Sequence, residues 1–215
     1  MLTFWVRGST RLLPGWLSGL MATVVVTCAA FVGVAGAATA SPAGSVAPVL
    51  VLNSLNADVS VIDPVTWQET ARVAVGKEPH HIYLSPDGGS VLIGNAAGNS
   101  ITFMDPKTGQ VQRTLNRMID PYHLRFSPDM QWFVTAANRL DHIDIYRWHG
   151  VDAAEPLELV KRVRAPKTPS HIAIDSQSQV AYVTLQDSNE LIAIDLLTQT
   201  PRWTVSTGEM PADIY

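Results

Sequence analysis

Short runs of alternating apolar and polar residues fill the chain from Val49 onward, and turn-forming residues separate them. In the stretch 79–110 the alternation passes through HIYLS, SVLIGN and SITFMD, which are followed by PDGG, AAGN and PKTG. Period-two alternation is typical of half-buried strands, and Gly, Pro, Asn and Asp are typical of the turns between them. The pattern predicts an antiparallel meander of four short strands, with no helix after Val49.

The same unit recurs along the chain. Pro79, Pro121, Pro169 and Pro211 open successive copies that are 42, 48 and 42 residues apart. A four-strand repeat of about 40–45 residues is the period of a propeller blade, so the sequence predicts an all-β β-propeller of four-stranded antiparallel blades. The predicted blades are 49–78, which lacks an innermost strand, then 79–120, 121–168 and 169–210, with the start of the next blade at 211–215.

A histidine follows the opening proline at the same position in three copies. His81, His123 and His171 each come two residues after that proline, and Asp213 takes the position in the last copy. The innermost strand of a blade borders the central channel, so these side chains should meet at the channel mouth. Three imidazoles suit Zn, Cu or Fe, and an imidazole also suits axial contact with a haem.

The histidines also have a purely structural interpretation, in which each ring donates an N–H to a neighbouring backbone carbonyl. Both interpretations remain open at this point. His80 and Tyr122, one residue before two of the channel histidines, are further candidates for a ligand-binding channel mouth. Arg125 could reach the channel or pair with an acidic neighbour. Asp63, Asp105 and Asp195 each end a third strand and are expected to form Asx turns.

These segments resemble a known repeat. AYVTLQDSNELIAIDLLTQ, VLVLNSLNADVSVIDPVTW and SVLIGNAAGNSITFMDPKTGQ are similar to the YVTN-type β-propeller repeat, and the resemblance covers 49–215. The histidine-bearing segments and FSPD turns also look similar to the haem-binding propeller of dissimilatory nitrite reductases. The resemblance implies the fold, and it implies several unrelated functions. It also favours seven blades, with this chain as part of the ring, over the alternative of a four-bladed ring closed by 211–215.

The N-terminus predicts export. Arg7 and Arg11 precede an uncharged run that ends in small residues at Ala40, as in a secretory signal peptide. We expect cleavage near Ala40, a linker at 41–48 and a periplasmic or secreted domain with no membrane attachment after cleavage; the alternative is an uncleaved anchor. The net charge of −4 and the absence of a basic cluster argue against nucleic acid.

Three functions fit these observations. The first is a secreted propeller that binds a protein or small-molecule partner at its channel face. The second is a redox propeller associated with haem or a transition metal through the histidines, and the third is a lactonase-like hydrolase. The sequence has no G-x-S-x-G, P-loop or C-x-x-C-H motif, so serine hydrolysis, nucleotide chemistry and covalent haem attachment are unsupported.

Overall fold

The computed structural model describes residues 46–215, which fold into fifteen strands arranged as four antiparallel sheets. The first sheet has three strands, and each of the other three has four strands in sequence order. The strands are β1 Val49–Asn53, β2 Asp58–Ile62, β3 Glu69–Ala74, β4 Pro79–Leu84, β5 Val91–Asn95, β6 Ser100–Met104, β7 Val111–Asn116, β8 His123–Phe126, β9 Trp132–Ala137, β10 His142–Trp148, β11 Leu157–Arg164, β12 Pro169–Ile174, β13 Val180–Leu185, β14 Glu190–Asp195 and β15 Thr200–Ser206.

This architecture confirms the predicted all-β meander of blades. The first blade has no innermost strand, as the alternation predicts, and the inner strands of the other three blades are β4, β8 and β12. Residues 211–215 form no strand, although the sequence predicts the start of an inner strand there. A strand needs a hydrogen-bonded neighbour, and none of the described strands pairs with this segment. The predicted signal peptide and most of the predicted linker lie outside the described residues.

The turns of the blades use the acidic residues that the sequence assigns to them. Asp63 accepts hydrogen bonds from the backbone N–H groups of Val65 and Thr66, at 2.7 and 2.9 Å. Asp105 and Asp195 repeat this Asx turn in the second and fourth blades. These carboxylates are therefore part of the turn structure, as predicted.

Large side chains fill the spaces between neighbouring blades. Phe103 of the second blade and Phe133 of the third are fully buried in one cluster with Leu92 and Tyr146. A fully buried side chain of this size contributes about 2–3 kcal/mol by leaving water. Trp148 of the third blade stacks on Phe103 of the second, with ring centroids 6.3 Å apart.

The inner strands change register at the proline–histidine segment. The pairing of β4 with β5 shifts between Pro79 and His81, and that of β12 with β13 shifts between Pro169 and Ile172. Proline has no N–H to give to the ladder, and an irregularity of this kind redirects neighbouring side chains. The segments that carry His81 and His171 thus depart from the regular strand, whereas His123 pairs in regular register with Ala136. Within residues 46–215, no helix is long and apolar enough to cross a membrane.

Candidate functional site

The three repeat-equivalent histidines come together although they belong to three different blades. His81 lies on β4, His123 opens β8 and His171 lies on β12. The ring centroid of His123 is 4.6 Å from that of His81 and 4.6 Å from that of His171, and the His81 and His171 centroids are 5.2 Å apart. One ring nitrogen from each residue lies within 4.8 Å of the others. We call this set of three residues the histidine cluster.

The orientation of the His81 ring is fixed by the next blade. Its Nδ1 lies 2.6 Å from the carbonyl oxygen of Tyr122. A carbonyl can only accept, so Nδ1 carries the proton and donates it, and Nε2 of the neutral ring keeps its lone pair. The contact is a ring-to-carbonyl hydrogen bond of the kind that the structural interpretation expects. It is also the contact that orients metal-ligating histidines in other proteins.

His171 is held in a similar way by its own blade. Its Nδ1 lies 3.0 Å from Oγ of Ser170, which is fully buried, and its backbone N–H donates to Oγ1 of Thr184 at 3.1 Å. Among the described residues, no hydrogen bond involves Nε2 of His171. Both outer members of the cluster therefore use Nδ1 for support.

His123 sits at the centre and is oriented through its other nitrogen. Its Nε2 lies 3.3 Å from the hydroxyl of Tyr83, and that hydroxyl accepts a hydrogen bond from Arg125 at 3.0 Å. Nδ1 of His123 has no hydrogen-bond partner among the described residues, although the side chain is only 4% exposed. A buried polar atom without a partner is uncommon in a folded protein, and it calls for an explanation.

Burial keeps His81 and His123 neutral. Burial lowers the pKa of His81 to about 4, with His80 and His171 adding to the shift. Burial also lowers the pKa of His123 to about 2, and the neighbouring His81, His171 and Arg125 add to it. Two of the three imidazoles are therefore unprotonated near neutral pH, which is the form that binds a metal ion.

The other predicted site residues lie around the cluster. His80 is exposed and stacks against Tyr122, with ring centroids 4.1 Å apart, and its Nδ1 is 3.2 Å from Nδ1 of His81. Asp213 is exposed and acts on His81 through its charge alone, while its own Oδ1 accepts from the N–H of Ile214. The carboxylate of Asp213 thus stays outside the set of nitrogen atoms that converge.

The chain matches one family model over residues 7–215, and that model describes YNCE-like β-propellers. The chain belongs to the YNCE-like β-propeller family. The expected YVTN-type propeller is thereby confirmed as a fold. No functionally curated protein sequence matches the chain.

Solved structures that resemble this YNCE-like propeller share its fold at low identity. Hydrazine synthase from Kuenenia stuttgartiensis is 19% identical with a TM-score of 0.60, covering 74% of this chain and 46% of that one. A candidate 6-phosphogluconolactonase from Bacteroides uniformis is 14% identical with a TM-score of 0.62, covering 77% and 53%. The dihydro-haem d1 dehydrogenase NirN, in complex with DHE, is 15% identical with a TM-score of 0.58, covering 76% and 35%. The propeller therefore spans about half the length of these structures or less.

Tyr83 supports the central histidine of this YNCE-like propeller, and the repeat pattern does not predict this role. Its hydroxyl joins Arg125 to His123. The signal was present, because Tyr83 follows His81 by two residues on one strand and Arg125 follows His123 by two on another. Residues two apart share a face of a strand. Arg125 also faces the Tyr83 ring, 5.5 Å from its centroid, and has no acidic partner among the described residues.

Proposed function

We propose that this propeller is a secreted or periplasmic protein that binds a transition-metal ion at its channel face through His81, His123 and His171. The observation that carries the proposal is the buried, unpartnered Nδ1 of His123 within the histidine cluster. When the proton of the neutral His123 ring is on Nε2, which donates to the Tyr83 hydroxyl, Nδ1 has a lone pair that no protein group uses and that a bound cation would take up. The Zn–N distance of about 2.0–2.1 Å needs ring nitrogens nearer to one another than 4.8 Å, so small rotations of the rings would accompany binding.

The hydrogen-bond pattern around the rings supports this proposal. Each member of the cluster has one ring nitrogen beside a second group: the Tyr122 carbonyl, the Tyr83 hydroxyl or the Ser170 hydroxyl. Metal-ligating histidines in proteins nearly always have such a partner, which fixes the tautomer and the ring orientation. The repeat alone brings the three rings to one channel mouth, so their convergence does not by itself favour a ligand. The unused, buried Nδ1 of His123 within that convergence does.

A second candidate is a haem-associated propeller, in which one histidine of the cluster contacts the haem iron. The solved structure of NirN in complex with DHE shows that a protein of related fold carries such a ligand. The crowding of three rings within 5.2 Å favours a single ion over a macrocycle. A lactonase-like activity, suggested by the Bacteroides uniformis neighbour, has no residue set here to support it.

Metal analysis and titration of the purified protein would test the proposal. The chain, expressed with its own leader, should bind one equivalent of Zn(II) or copper after treatment with a chelator. His123→Gln, which keeps most of the side-chain volume, should lose that binding. His149→Gln removes an exposed histidine that contacts Glu158, and it should bind like wild type.

The competing functions give different results in the same experiments. A haem titration that produces a visible absorption band in wild type and not in His123→Gln would favour the haem candidate. If wild type binds neither metal nor haem, or if His123→Gln binds as well as wild type, the proposal is wrong. The histidines would then serve only to join the blades.

A further inference from the structure

The charges around the histidine cluster indicate which cations it can hold. The converging nitrogen atoms come from three neutral side chains, and no carboxylate of residues 46–215 joins that group. Glu78 and Asp120, the acidic residues nearest in sequence to the cluster, are both engaged with Arg139, at 2.6 and 2.8 Å. A bound ion would therefore have no anionic ligand among these residues, and Asp213 would act on it only from outside the cluster.

A fixed positive charge lies on the other side of His123. The Arg125 guanidinium donates to the Tyr83 hydroxyl at 3.0 Å, and that hydroxyl is 3.3 Å from Nε2 of His123. Arg125 is half-buried and has no acidic partner among the described residues, so little within the protein offsets its charge. Repulsion between this guanidinium and a bound cation grows in proportion to the charge of the cation.

Burial of the site increases the difference in binding free energy between a monovalent and a divalent ion. The cost of moving an ion out of water grows with the square of its charge, so a divalent ion pays about four times as much as a monovalent one of equal size. Zn(II) bound by three histidines completes a tetrahedron with a water molecule, and Cu(II) prefers a tetragonal set of four or more ligands, so either divalent ion would have to keep water in this buried site. The histidine cluster supplies three nitrogen atoms and no anion.

These observations, which rest on the proposed metal site, lead to one inference. We propose that the histidine cluster selects a soft monovalent cation, Cu(I), over Zn(II) and Cu(II), and that Arg125 sets this selectivity by its charge. Three neutral nitrogen donors satisfy Cu(I), which accepts a three-coordinate geometry without an anionic ligand. No electron transfer is needed for this step, because the ion binds and leaves in one oxidation state.

Competition titrations would measure the selectivity directly. The full chain is titrated anaerobically with Cu(I) against bathocuproine disulfonate, and separately with Zn(II) against a chromophoric indicator. Wild type should bind Cu(I) at least about 10-fold more tightly than Zn(II), since a shielded unit charge near the site changes affinity by one to two decades. Equal or tighter binding of Zn(II) would overturn the inference while leaving the proposed metal site in place.

Two substitutions at Arg125 separate charge from shape. Arg125→Met removes the charge and should strengthen Zn(II) binding about 10-fold, with a smaller change for Cu(I). Arg125→Lys keeps the charge and should keep the wild-type preference. The matched control is Arg147→Met, which removes an arginine of β10 that lies over Trp132 of β9. It should change neither affinity.

Metal binding by the His123→Gln variant tests the metal site separately from the role of Arg125 in selectivity. If wild type and His123→Gln bind neither Cu(I) nor Zn(II), both the metal site and its selectivity are wrong. If binding depends on His123 but Arg125→Met leaves the ratio of the two affinities unchanged, the role of Arg125 is wrong.

Discussion

The His81 ring of one blade donates from Nδ1 to the Tyr122 carbonyl of the next blade, across 2.6 Å. Tyr122 directly precedes His123, so this bond links the positions of two members of the histidine cluster. Within the ladder of its own blade, His81 is opposite Gly94. The site and the joint between the second and third blades are therefore built from the same few residues.

Gly94 makes this joint possible. A Cβ at this position would overlap the backbone carbonyl oxygen of Pro121 and would lie 3.2 Å from a methyl group of Leu124. A backbone carbonyl cannot rotate away as a side chain does, so the segment 121–123 would have to move. Gly94→Ala should lower the free energy of unfolding by about 1–3 kcal/mol, measured by urea denaturation. Gly88→Ala is no suitable control, since its φ is +69°.

A better control for Gly94→Ala is Gly208→Ala, because a Cβ there meets nothing within 4 Å and its φ is not positive. That variant should unfold like wild type. Metal affinity should fall in Gly94→Ala and not in Gly208→Ala, because the segment 121–123 that Gly94→Ala displaces carries His123. Unchanged stability in Gly94→Ala would mean that the two blades do not approach as closely as the structure indicates.

Tyr83 is a positioning residue for His123, because its hydroxyl lies between the histidine and Arg125. Tyr83→Phe removes that hydroxyl and keeps the ring under the guanidinium. Loss of such a supporting group typically weakens metal binding about 10- to 100-fold, and we expect a loss of about 10-fold with little change in the urea midpoint. Tyr182→Phe alters a tyrosine that packs on Trp203 in the fourth blade and is the matched control. Identical metal affinity in Tyr83→Phe and wild type would exclude this role.

The sequence predicts the strands and blades of this protein better than the side-chain contacts around its histidine cluster. The antiparallel blades occur as predicted, because period-two alternation and Asx turns act locally. The equivalence of His81, His123 and His171 follows from the repeat in the same way. The Tyr83–Arg125 contact joins two blades, so it depends on how the sheets pack.

The burial of His123 is the feature of the site that the sequence predicts wrongly. A residue at the mouth of a channel is expected to bury little, and truncation of His123 would then leave the fold intact. In the structure His123 is 4% exposed, because Tyr83, His81 and His171 surround it. Replacement by alanine would leave a cavity, which is why glutamine is the better test of function.

A second buried polar group, away from the channel, contributes to stability. Asp144 is fully buried and accepts hydrogen bonds from Nε and NH2 of Arg162, at 2.8 and 2.7 Å, and from the hydroxyl of Tyr146 at 3.1 Å. Asp144→Asn removes the charge that these donors face, and it should cost about 2–3 kcal/mol of unfolding free energy. Asp152→Asn changes an exposed carboxylate and should cost almost nothing.

The same group predicts a response to strong acid. Burial raises the pKa of Asp144, but the hydrogen bonds from Arg162, together with the His142 ring whose Nε2 is 3.6 Å away, outweigh burial and hold its pKa below 3.8. The folded chain keeps this carboxylate ionised where the unfolded chain protonates it. The stabilisation is present above pH 3.8 and is lost as the pH falls below it. If the free energy of unfolding decreases equally in wild type and in Asp144→Asn as the pH falls below 4, Asp144 is not the group that causes the loss of stability.

The histidine cluster should make the metal-free protein sensitive to mild acid, in a range where carboxylates remain ionised. The pKa of His81 is about 4 and that of His123 about 2 in the folded chain, against 6.5 for an ordinary histidine. As the pH falls below about 6.5, the unfolded chain takes up protons on both residues and the folded chain does not. The free energy of unfolding should therefore decrease between pH 6.5 and 5, and the urea midpoint should decrease with it. His123→Gln removes one of these groups and should show a shallower decrease, whereas His149→Gln should follow wild type. A wild-type midpoint that stays constant from pH 6.5 to 5 would show that the rings are more hydrated than their burial indicates.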